Sequence, residues 1–94
     1  MRELAQIRQE LDEIDREIVA LFERRMHLSR EVAQTKMAQG KAVLDAGREQ
    51  QVLESRAGML QDPALTDAVQ ALYREIMALS RAEQEKLLRE AHHA

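Results

Sequence analysis

The chain contains no cysteine and no tryptophan, and aromatic residues of every kind make up 2% of it. Lack of cysteine excludes a disulfide framework and a thiolate metal site, and suits a reducing compartment. Three glycines and one proline punctuate 94 residues, a shortage that favours long helices over sheet. No apolar run approaches the length of a membrane span, and the opening stretch "MRELAQIRQELDEID" lacks the apolar centre of a leader. The expectation is a cytoplasmic protein without membrane contact. Excess basic charge is missing too. A net charge of −3 argues against a nucleic-acid partner, which usually demands a basic face. It leaves room for a small anionic ligand, which needs only a local cationic pocket.

What the chain does have is 45% hydrophobic and 33% charged residues, rich in Ala, Leu, Glu, Arg and Gln. Ninety-four residues make a single domain, 1–94, whose core would be marginal in isolation. Apolar residues recur at Leu4, Ile7, Leu11, Ile14, Ile18, Leu21, Leu28 and Val32. Steps of three and four predict an amphipathic helix with a narrow seam. It runs from about residue 2 to about residue 39, where Gly40 serves as a C-cap. Residues 40–44 form a short connection. Asp45 caps a second helix over about 45–60. After the break at "QDP", Asp62 and Pro63 start a third helix over about 63–89, with Leu65, Val69, Leu72, Ile76 and Leu79 on one stripe.

A first helix of that length spans over 50 Å at about 1.5 Å per residue, more than the second helix can cover. Its seam stays apolar almost end to end, so a second copy of the chain in a closed two-fold dimer is the simplest cover. An extended coiled coil competes, but the two shorter helices favour a compact bundle.

Two cations interrupt the seam. Arg25 falls between Leu21 and Leu28, and Lys36 lies four residues beyond Val32. About three turns separate them, so they share a face. For one such residue, the ordinary reading is a stem packed along the seam with its charge snorkelling to water. Two on one face, about 16 Å apart along the axis, leave room for a small ligand. Buried cations need anions, and an anionic ligand would supply them. Arg8, beside Ile7, lies roughly 25 Å from Arg25 and over 40 Å from Lys36 on a straight helix. It cannot serve their site in its own chain, and taken alone it reads as a surface residue. In an antiparallel dimer it would fall between Arg25 and Lys36 of the partner.

In "DAGRE", Asp45, Arg48 and Glu49 share one face at helical spacing. Taken alone they read as an N-cap, a negative first turn and a surface ion pair. Ser80 and Gln84 border the third stripe, where a polar pair is usually solvated, yet both could face the same pocket as the cations. His92 and His93 have no third ligand in sight, so no metal site is expected. His27 reads as a surface or partly packed residue, and the five methionines as core filler.

Together these residues resemble the all-helical (type II) class of chorismate mutases across nearly the whole chain. The first helix is similar in "IRQELDEIDREIVALFERRMHLSREVAQTK", the second in "VLDAGREQQVL" and the third in "LYREIMALSRAEQE". Each motif is loose; their order and spacing together are specific. The resemblance implies an all-α fold with three helices per chain in an intertwined homodimer. It implies conversion of chorismate to prephenate by an intramolecular Claisen rearrangement, in phenylalanine and tyrosine biosynthesis, without cofactor or metal. It puts Arg25, Lys36, Asp45, Arg48, Glu49, Ser80 and Gln84 in one active site, with Arg8 donated to the partner's site and Val32 and Met77 as apolar walls. Lys36 and Gln84 would face the ether oxygen, and Arg25 and Arg8 chiefly the carboxylates. Ser80 and Arg48 would support carboxylate binding, and Glu49 would take the ring hydroxyl. Two other readings stand beside it: an isochorismate–pyruvate lyase on the same scaffold, and a non-catalytic dimerisation or regulatory module of a larger enzyme.

Overall fold

No glycine or proline falls between Leu4 and Gln39, and the chain forms one uninterrupted helix there, α1 (Leu4–Gln39). The computed structural model describes residues 1–42 and 44–93, the side chains of His92 and His93 excepted. Val43, in the expected connection, and the two histidine side chains considered as metal ligands therefore lie outside the described residues. At about 1.5 Å per residue, 36 residues reach about 54 Å, so α1 sets the longest dimension of the molecule, 56 Å.

Gly40 ends α1 in the left-handed conformation, φ 68°, which glycine adopts without a Cβ penalty. The Lys41 amide then reaches back to the Lys36 carbonyl at 2.8 Å, and the Gly40 amide donates to the carbonyl of Met37 at 3.1 Å. This closure satisfies carbonyls that the helix end would otherwise leave open. It also fixes Lys36 in the last turn, where the helix dipole favours a cation.

The second helix, α2 (Ala46–Gly58), begins at Asp45, whose carboxylate accepts from the Arg48 amide at 3.0 Å. It is two residues shorter than the sequence pattern suggests, ending at the Met59 C-cap. Asp62 accepts from the Ala64 amide at 3.0 Å, and Pro63 opens a single 3₁₀ turn, Pro63–Leu65. The last helix, α3 (Thr66–His93), continues from it beyond the expected end near residue 89. Nothing in "RAEQEKLLREA" breaks a helix, so the helical run carries on through it to His93.

Both other helices pack on α3. Val52 and Leu53 of α2 bury against Met77 of α3, with Tyr73 partly covered beside them. On α1 the buried residues are Met26, Ser29 and Ala33. They lie one position away from the expected seam of Leu28 and Val32, which remain about half exposed. The reason is size. Ser29 and Ala33 are small enough to be covered at the α1–α3 contact, and Ala33 is 0% exposed. The bulkier Leu28 and Val32 are turned to the rim of a pocket instead.

Residues 1–24 touch little else: all are exposed, including Leu4, Ile7, Leu11, Ile14, Ile18 and Leu21. The Cα radius of gyration is accordingly 16.9 Å, against about 12 Å for a compact chain of this length. No helix among the described residues is long and apolar enough to cross a membrane.

Candidate active site

The last four turns of α1, the first two turns of α2 and the middle of α3 enclose a pocket of about 330 Å³, at the small end of the range for small-molecule sites. Seven of the residues singled out in the sequence line it: Arg25 and Lys36 from α1, Asp45, Arg48 and Glu49 from α2 and its cap, and Ser80 and Gln84 from α3. Val32 and Met77 supply apolar wall. Arg8 does not reach it; it is exposed on the uncovered half of α1.

Arg25 and Lys36 are half-buried. The Arg25 guanidinium lies 5.9 Å from the centre of the Tyr73 ring, and Arg56 of α2 lies at the same distance from that ring. A cation over an aromatic face is attracted by the ring quadrupole, so Tyr73 restrains Arg25 at the pocket mouth without neutralising it. Tyr73 went unnoticed in the sequence, although it lies on the same helical face as Met77, Ser80 and Gln84.

Asp45 acts as the helix cap through its carboxylate, while the Arg48 side chain donates to Gln51 at 3.1 Å. The expected ion pair within "DAGRE" is replaced by one between helices. Arg81 of α3 places Nη1 against both carboxylate oxygens of Glu49. Its partner lies 32 residues earlier on another helix, so no local spacing could reveal the pair.

Ser80 and Gln84, at the edge of the third stripe and assigned to the site by the resemblance, are both buried, 7% and 8% exposed. Ser80 meets Ser29 hydroxyl to hydroxyl across the α1–α3 contact. Ser29 gives its proton to the Arg25 carbonyl at 3.1 Å, which leaves Ser80 as the donor of the pair. Gln84 Oε1 is buried with no hydrogen-bond partner among the described residues. A buried amide that is incompletely paired costs about 1–3 kcal/mol, and a ligand in the pocket would offset that cost.

Four cations, Arg25, Lys36, Arg48 and Arg81, thus face two carboxylates, Asp45 and Glu49. The surplus is two positive charges, beside a neutral amide and an apolar wall. Such a site suits a small molecule carrying more than one negative charge. The family comparison agrees with that class: the model for chorismate mutase type II matches residues 7–85. The chain belongs to this family, an all-helical group with a chorismate mutase-type function. Among curated proteins, none matches the chain.

Proposed function

We propose that the protein converts chorismate to prephenate by an intramolecular Claisen rearrangement, a step toward phenylalanine and tyrosine. The observation that carries this reading is the convergence of Arg25, Lys36, Arg48 and Gln84 on one pocket with a surplus of positive charge. In the reaction the substrate's ether C–O bond breaks while a C–C bond forms, and all electrons stay within the substrate. No proton, nucleophile or electron carrier is required. Catalysis consists of holding a flexible dianion in its compact reactive conformer and stabilising the charge that builds on the ether oxygen.

Lys36 serves as the charged donor to that oxygen, with Gln84 as the neutral one. For Gln84 this means presenting Nε2, by a half-turn of the amide whose Oε1 is unpaired among the described residues. Arg25 binds a carboxylate, supported by Arg48 and Ser80. Ser80 donates to the ligand only after its hydroxyl contact reverses, with Ser29 turning its proton from the Arg25 carbonyl to Ser80. That carbonyl keeps its helical partner. Glu49, with the backbone near Asp45, accepts from the ring hydroxyl.

The working unit is an antiparallel homodimer. The exposed row from Leu4 to Leu21 supports it, because so long an apolar stripe is unusual on a monomer's surface. A second α1 crossing near Val19 and Ala20 would cover the row and bring Arg8 of the partner subunit between Arg25 and Lys36.

The test is an assay following chorismate loss with prephenate and pyruvate identified separately. Prephenate alone is the expected product. Pyruvate from isochorismate as the preferred reaction would assign the chain to the lyase, and no turnover of either substrate would make it a non-catalytic module.

A further inference from the structure

Arg81 lines the pocket, yet the reaction described above assigns it nothing. It follows Ser80 directly on α3 and stands three residues before Gln84, so it belongs to the stretch that delivers both of those side chains. Its Nη1 bridges the two oxygens of the Glu49 carboxylate. The side chains of the pair are 33% and 26% exposed. Both side chains are thus part-buried at the pocket wall, where the pair shapes the site as well as the α2–α3 contact.

The geometry has two chemical consequences. A carboxylate offers about four lone-pair positions. One nitrogen bridging both oxygens occupies one position on each and leaves the outer ones for another donor. Glu49 is therefore fixed in place and still able to accept. Secondly, an unpaired carboxylate on the wall would repel a substrate that is itself dianionic. With Arg81 against it, Glu49 keeps its capacity to accept a hydrogen bond while its net charge is cancelled.

We propose that Arg81 is a positioning residue that holds Glu49 as a fixed, charge-neutralised acceptor for the substrate's ring hydroxyl. It acts through Glu49 and touches no reacting atom. The proposal rests on the mutase reading, which sets the ring hydroxyl of chorismate against Glu49.

The experiment is a double-mutant cycle on the full chain, with kcat and KM for chorismate measured in Arg81→Gln, Glu49→Gln and the combined variant, and in Arg81→Lys. Arg81→Gln should raise KM by about tenfold, the size of one misplaced hydrogen bond, with a smaller change in kcat. Arg81→Lys, which restores a cation at that reach, should recover most of the loss. In the Glu49→Gln background the acceptor is already neutral, so removing Arg81 should change KM no further. Circular dichroism of each variant should match the wild type. An unchanged KM in Arg81→Gln overturns the proposal, as do independent losses that multiply in the combined variant, since Arg81 would then act on the substrate directly. A wild-type chain without chorismate turnover overturns the mutase reading itself, an outcome separate from either of these.

Discussion

Ser29 on α1 and Ser80 on α3 share one buried hydroxyl contact between the two helices, one turn before the fully buried Ala33. Both are buried, and Ser29 is already committed to the Arg25 carbonyl. Their contact therefore ties the helix packing to the protonation pattern on the pocket floor. Substituting Ser29→Ala removes the acceptor and leaves Ser80 with its proton free for a ligand. The expected result is a loss of about 1 kcal/mol in stability, read by urea denaturation, with KM for chorismate unchanged or lower. A higher KM would mean that Ser29 itself helps present Ser80.

Gln84 is neutral at every working pH, so the donor it offers does not titrate. In Gln84→Glu the same hydrogen bond requires a protonated carboxyl, and free Glu loses its proton at about pH 4.3. Activity should fall at neutral pH and recover toward acid, giving a pH–rate profile with an acidic limb absent from the wild type. A profile that keeps the wild-type shape would remove Gln84 from the ether oxygen.

Lys36 is held in the last turn of α1 by the Gly40 closure. The Lys36→Ala variant should fold with wild-type helix content, because that closure uses backbone atoms only. Its turnover should drop by about 10²–10³-fold or more, as expected for loss of a donor to developing charge. Near-normal kcat with prephenate still formed would show the lysine to be structural.

The parts of the fold that depend on neighbours in the chain were readable in advance. Gly40, Asp45, Asp62 and Pro63 act locally, and each marks a helix boundary where expected or within a few residues. The three-and-four spacing located the face of α1 to within about one position. What spacing could not tell is which residues on that face meet α3. Side-chain size at the crossing decided it, drawing Ser29 and Ala33 inward and leaving Leu28 and Val32 at the pocket. Likewise Arg25 and Lys36 stood out because a charge in an apolar seam is an anomaly within one helix. Arg81 and Tyr73 did not, because their partners, Glu49, Arg25 and Arg56, lie on other helices. A long-range pair leaves no trace in local periodicity.

The central claim is that each site takes Arg8 from a second copy of the chain. About 25 Å of straight helix separates Arg8 from Arg25, so its own pocket is out of reach. The most direct measurement mixes two inactive variants, Arg8→Ala and Lys36→Ala, under conditions that let subunits exchange. In a heterodimer one site collects both defects and the other collects neither. Random pairing of equal amounts makes about half the dimers mixed, hence about a quarter of all sites intact. Activity should rise from the level of the parents toward a quarter of wild type. If mass spectrometry shows that exchange has occurred and activity stays at the parental level, the site is not shared between chains.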